Sequence, residues 1–200
     1  FSGTGGLDMK YGVTDGLTAD FTVNTDFAQV EVDEAQVNLT RFNLFFPEKR
    51  EFFLEGQGIF EFGGGLDQDV TTFYFKGQMY GGEAPVLFFS RRIGLDDGRA
   101  VPIRGGGRLT GKTGPYSIGL LDVQTGSDEM SDANPTNFSV IRVKRDILRR
   151  SSIGGLFTGR SVSVDGQGMS STYGVDGVFS FYENLNINTY WAKTSTPELS

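Results

Sequence analysis

Residues 7–24, LDMKYGVTDGLTADFTVN, alternate apolar and polar side chains on both sides of a short turn. Leu7, Met9, Tyr11 and Val13 fall on one face, and Asp8, Lys10 and Gly12 on the other. After "TDG", Leu17, Ala19, Phe21 and Val23 alternate with Thr18, Asp20, Thr22 and Asn24. A period of two is the strand period, because successive Cβ atoms point to opposite faces of a pleated chain. The pattern predicts an antiparallel hairpin with one apolar and one polar face. It returns after residue 100. "IRGGGRLTGK" sets Ile103 and Leu109 against Arg104, Arg108, Thr110 and Lys112. "YSIGLLDV", "FSVIRVKR", "IGGLFTGR", "TYGVDGVFSFY" and "LNINTYW" follow as further strands. The chain is therefore expected to be all-β and antiparallel.

From residue 103 onward the connections run short, long, short, long, short. The long ones are polar: "QTGSDEMSDANPTN" at 124–137 and "SVSVDGQGMSS" at 161–171. A soluble sandwich has no reason to segregate its long loops to one end. Outer-membrane barrels do, with short periplasmic turns and long outer loops. The expectation is an up-and-down β-barrel of outer-membrane type, or a fragment of one, spanning residues 1–200 as a single domain. Its apolar face, with Leu17, Phe21, Phe179, Phe181, Leu185 and Ile187, would contact lipid. Its polar face would line a lumen, where Asp176→Asn is expected to be mild.

The net charge of −7 argues against nucleic acid as a partner, since phosphate binding needs an excess of Lys and Arg. Cys and His are both absent, which removes thiol chemistry, the commonest general base and the usual zinc ligands. No stretch approaches the roughly 20 apolar residues of a spanning helix. No cofactor, metal site or enzymatic activity is expected.

Residues 25–56 form an insertion that does not alternate. Ala35, Leu39, Phe42 and Phe46 are spaced as on a short helix, which Pro47 would end. "RFNLFFPEKREFFLEG" then mixes Phe with charge. Such a block cannot face hydrocarbon, and as a free loop it would expose a large apolar patch. Residues 33–56 are expected to fold inward as a plug, or to cap an outer surface. Beyond it, "IFEFGG", "VTTFYFKG" and "VLFFSRR" read as candidate strands. All three cannot span if "TDG" and "KTGP" lie at the same end.

The long ordered motifs "LDMKYGVTDGLTADFTVNTDFAQVEVDEAQVNLTRF", "LFFPEKREFFLEG", "FFSRRIG" and "GGGRLTGKTGPYSIGLLDVQT" carry a resemblance. They resemble a family of uncharacterised bacterial proteins with a β-barrel-like domain of unknown function behind an N-terminal family-nine-type carbohydrate-binding module. The resemblance covers residues 7 to about 125 and implies a larger barrel in the outer membrane of a Gram-negative bacterium. It supplies no catalytic residue; outer-membrane lipid, carbohydrate and other envelope proteins are the expected partners.

The expected function is accordingly a pore, transporter body or surface anchor. A secreted glycan-binding all-β domain is the alternative, and an envelope hydrolase a weaker one. Glu48, Glu51 and Glu55 suit a glycosidase only if two carboxyls flank a sugar cleft. The simpler role is ion pairing with Lys49 and Arg50. Arg91, Arg92, Arg104, Arg108, Arg142 and Lys144 form either a lumenal basic ladder or a charge network bracing the wall. Arg41 and Asp176 complete the lumen and plug candidates. Acidic segments 66–70 and 126–134 offer oxygen ligands for calcium but lack EF-hand spacing, so solvated loops are favoured. Tyr190 and Trp191 suit an interfacial aromatic girdle or a sugar platform.

Overall fold

A computed structural model describes residues 5–24, 48–63, 74–75, 78–79, 84–96, 99–127, 133–163, 168–182 and 184–197. Arg41, the expected helix after residue 33 and the acidic segment 66–70 lie outside them. One eight-stranded antiparallel sheet dominates: β1 Leu7–Thr14, β2 Leu17–Val23, β3 Ile103–Thr113, β4 Tyr116–Thr125, β5 Asn137–Ile147, β6 Ser151–Arg160, β7 Ser170–Phe181 and β8 Leu185–Ser195. Strand order in the sheet follows the chain, so the topology is up-and-down. The sheet is open, with β1 and β8 as its two edges, and is not closed into a barrel.

β2 pairs directly with β3, from Leu17 opposite Gly111 to Val23 opposite Gly105. Among the described residues between them, none belongs to the eight-stranded sheet. Ile59 and Phe60 end the 3₁₀ turn Gln57–Phe60. Among the described residues, Tyr74–Phe75 pairs with Gln78–Met79 in a tiny hairpin. Residues 86–89 form no strand and lead into the 3₁₀ turn Ser90–Arg92. The apolar run from Val86 to Phe89 has no polar face to present, and Leu87 and Phe88 pack on the core instead.

Because β2 pairs directly with β3, the parity resolves. The turns at 15–16, 114–115, 148–150 and 182–184 lie at one end of the sheet. The strand ends Val23, Ile103, Thr125, Asn137, Arg160 and Ser170 lie at the other.

The two faces differ. Thr22, Arg108, Thr110, Ser117, Arg142 and Asp176 are buried on one face, beside Leu121, Val123, Val140 and Leu156. Phe21, Leu120, Ile141, Val143, Ile153, Val175, Ile187 and Trp191 are exposed on the other. The first face is covered by residues 48–63 and 87–93, so the inserted segment extends through the whole stretch between β2 and β3. Phe53, Phe60, Phe62 and Ile93 meet Ile103, Leu121, Val123, Val140 and Leu156 in one core. Each fully buried ring contributes on the order of 1.5–3 kcal/mol.

Alternation fails at one point. The β3–β4 register slips between Ile103 and Gly105, a bulge that adds Arg104 as an extra residue. Ile103 is buried in the core, on the same side as Arg108, while Arg104 is exposed. A strict period of two had placed Ile103 opposite Arg108.

Candidate functional site

The site is the seat of the insertion on the covered face. It begins at Glu48, whose Oε2 accepts from Arg50 Nη2 at 2.7 Å and from Ser90 Oγ at 2.7 Å. Glu48 Oε1 accepts from Arg50 Nε at 2.8 Å and from the Arg50 amide at 3.0 Å. The Arg50 guanidinium also donates to the carbonyls of Ile93 (2.6 Å) and Ser90 (2.9 Å), and stacks over Phe53 at 4.2 Å. Burial pushes the Glu48 carboxyl up, but the hydrogen bonds and charge of Arg50, with the Ser90 hydroxyl, bring it below its ordinary range. This buried pair ties the two halves of the insertion together.

A single helical turn, Glu51–Leu54, follows, and Gly56 reverses the chain with φ +70°. The turn lies against β3. Arg108 donates to the carbonyls of Phe52 and Glu55, and its Nη2 donates to Asp20 Oδ2 at 2.6 Å. A buried arginine thus clamps the last backbone carbonyls of a helical turn, which have no partner within it. Glu55 Oε2 lies 3.3 Å from Arg108 and 2.5 Å from Lys10 on β1. Gly56 sits against Thr110, where an added Cβ would meet that side chain at 3.0 Å.

Further on, Phe60 lies over Gly119 and Phe62 over Gly174. A Cβ at either glycine would stand 2.8 Å from the ring. The Gly63 amide donates to Asp176 Oδ2 at 3.0 Å. The other side of that carboxylate faces Arg142, whose Nη1 and Nη2 lie 2.5 and 2.7 Å from its two oxygens. Arg142 lies 5.7 Å below the Phe62 ring centre. Glu61, beside them, is pushed above its ordinary range by burial, with the Lys144 charge opposing.

The structure therefore brings Glu48, Arg50, Glu55, Arg108, Arg142 and Asp176 into one docking surface. Glu51 and Lys49 are exposed on the insertion. Arg91 is buried and Arg92 exposed in the turn after Phe89. Arg104 stands apart because of the bulge, so the basic residues do not form a continuous ladder. Sequence reasoning did not assign roles to Lys10, Asp20, Ser90, Phe60, Phe62 or the glycine sockets. The available signal was that Gly119, Gly154 and Gly174 share the parity of the charged face. Among the described residues, no group of three or more acidic side chains is placed to hold a metal ion.

A family model described as a domain of unknown function, DUF5916, matches residues 1–66. The match spans β1, β2 and the docked segment 48–63, about a third of the chain. Its description mentions neither a barrel nor a carbohydrate-binding module. No curated protein and no solved structure matches the chain.

Proposed function

We propose that this chain forms part of the wall of an outer-membrane β-barrel, with the insertion seated against the lumenal face. In that role the protein is a pore, a transporter body or a surface anchor. The observation that carries the reading is the inverted coverage of the sheet. Buried ion pairs lie on the covered face, whereas Ile141, Val143, Ile153, Val175, Ile187 and Trp191 stand exposed on the uncovered one. In water a sheet hides its most apolar face. Lipid reverses that requirement.

The limits of the exposed apolar band support the same reading. Toward the long connections it gives way to Asp122, Asn137 and Ser139, which bond one another at 2.7–2.9 Å. Toward the short turns it ends at Arg145, whose guanidinium lies 5.5 Å from the Tyr116 ring centre. Tyr116, Tyr173 and Trp191 are exposed along it, the residue types of an interfacial girdle. The reading gives the insertion's carboxylates no catalytic role, because both oxygens of Glu48 are held by Arg50 and Ser90.

Refolding with and without phosphatidylcholine vesicles tests it. The chain should acquire heat-resistant β-structure only with the vesicles and float with them on a density gradient. A folded monomer in plain buffer would overturn the wall and favour a secreted glycan-binding domain.

A further inference from the structure

The uncovered face is not smooth. Between β5 and β8 it holds a groove of about 600 Å³. Gly155 and Gly177 form its floor, and Val143, Ile153, Phe179 and Trp191 are among its walls. The cross-strand register explains the depression. Val143, Gly155, Val175 and Trp191 form one row, and Arg145, Ile153, Gly177 and Thr189 the next. Gly155 leaves open the space that a side chain would fill, whereas the Phe179 ring lies over Gly177, 2.7 Å from where a Cβ would stand.

At Gly155 the fold does not demand that space. An added Cβ would meet nothing nearer than the Gly174 carbonyl oxygen at 3.8 Å. Glycine inside a strand weakens it and marks sites where something approaches the backbone closely.

Charge lies at the mouth of the same groove. Arg145 lines its short-turn end, with its guanidinium 5.5 Å from the Tyr116 ring centre. The adjoining turn carries Arg149 and Arg150, both exposed. Leu148 precedes them with φ +56° and 74% of its surface exposed. An apolar tip beside two arginines suits the boundary between acyl chains and headgroups. The nearby Asp146 is engaged by Lys112 at 3.4 Å.

Resting on the wall reading above, we propose that this groove binds one anionic phospholipid. An acyl chain lies over Gly155, between Val143, Ile153, Trp191 and the Phe179 ring, and the phosphate is held by Arg145, Arg149 and Arg150. Three cations at one rim fit an anionic headgroup and give no advantage to a zwitterionic one. The short-turn end places that headgroup in the leaflet opposite the long connections.

The test is native mass spectrometry of the full chain after extraction from vesicles of phosphatidylcholine and phosphatidylglycerol in equal parts. The wild type should retain phosphatidylglycerol by roughly five-fold or more over phosphatidylcholine. The combined Arg145→Gln, Arg149→Gln, Arg150→Gln variant should lose the preference. Gly155→Leu should lose the retained lipid while still inserting into the vesicles. Insertion with equal retention of both lipids, or retention unchanged in the variants, overturns the lipid site and leaves the wall. A dimer that Gly155→Leu abolishes would assign the groove to a second copy instead. Failure of the wild type to insert overturns both readings.

Discussion

Arg142 and Asp176 pair across an intervening strand. Arg142 belongs to β5 and Asp176 to β7, and Gly154 of β6 lies beneath the bridge. A Cβ on Gly154 would stand 2.8 Å from Arg142 Nη1. The Arg142 side chain is fully buried and that of Asp176 nearly so. A charge left alone there cannot reach water. Asp176→Asn should therefore cost about 3–5 kcal/mol, the usual penalty for breaking a buried pair from one side. Denaturant titration of the refolded protein measures it. A cost under about 1 kcal/mol would show that the guanidinium finds other partners. The sequence alone suggests a mild effect, because alternation shows which face Asp176 occupies but not what covers it.

The sockets under the phenylalanines predict a different phenotype. Gly174→Val puts a branched side chain where the Phe62 ring sits, and Gly119→Val does the same beneath Phe60. Valine is a good strand residue, so the sheet should persist while the insertion is displaced. Trypsin should then cut at Lys49 or Arg50 at least ten-fold faster than in the wild type, on the order of 1.4 kcal/mol of lost docking. Equal cleavage rates would mean that the insertion is held without these contacts.

Two carboxyls on the insertion give opposite pH dependences. Glu48 is held below its ordinary range, so its contribution is complete above the unfolded value near 4.3. It is lost as pH falls through the lower folded value. Glu55 acts in the same direction, through its hydrogen bond to Lys10, but it is exposed and screened by salt. Glu61 is raised, so the folded state binds the extra proton and stability falls as pH rises from about 4.3 through the folded value. Denaturant midpoints between pH 3 and 7 should lose part of their acid limb in Glu48→Gln. They should rise at neutral pH in Glu61→Gln. A neutral-pH loss in Glu61→Gln would show that Glu61 is ionised and paired in the folded state.

The strands were legible because alternation is local. Each of the eight main strands follows from a run such as Tyr173, Val175, Phe179 and Phe181 against Gly174, Asp176 and Ser180. Their order was legible too, since short turns force neighbours together. The bulge at Arg104 was not, because one extra residue leaves no trace in a run of glycines. Nor was the pairing of β2 with β3, which depends on where the long intervening segment goes. The seat of that segment rests on tertiary contacts: Arg108 with the carbonyls of Phe52 and Glu55, and Asp176 with the Gly63 amide. Backbone groups look alike in every sequence, so those partners could not be read from composition or period.

Ile141 separates a lipid-facing wall from a water-facing one. It sits on the uncovered face of β5, 46% exposed, between Leu120 and Phe157 in the cross-strand row. In water an exposed isoleucine exchanged for arginine should change stability by less than about 0.5 kcal/mol. In a bilayer the same change near the midplane should cost about 2–4 kcal/mol. Refolding Ile141→Arg into vesicles, with a denaturant titration against the wild type, decides between them. A neutral result would remove the membrane from the reading.

The ends of the sheet make the last prediction. Four short turns gather at one end of the sheet, and the strand ends that lead into 126–136 and 161–169 lie at the other. Outer-membrane barrels keep their short turns on the periplasmic side and their longer loops outside. The long polar connections then face outward. Protease added to intact cells should cut within 126–136 or 161–169 and spare the turns at 114–115 and 148–150. The spared side includes Arg149 and Arg150, whose exposed positions trypsin would otherwise favour. Cutting at these arginines in intact cells, with the long connections protected, would invert the orientation. Cutting at both ends without opening the cells would show that the sheet does not cross a membrane.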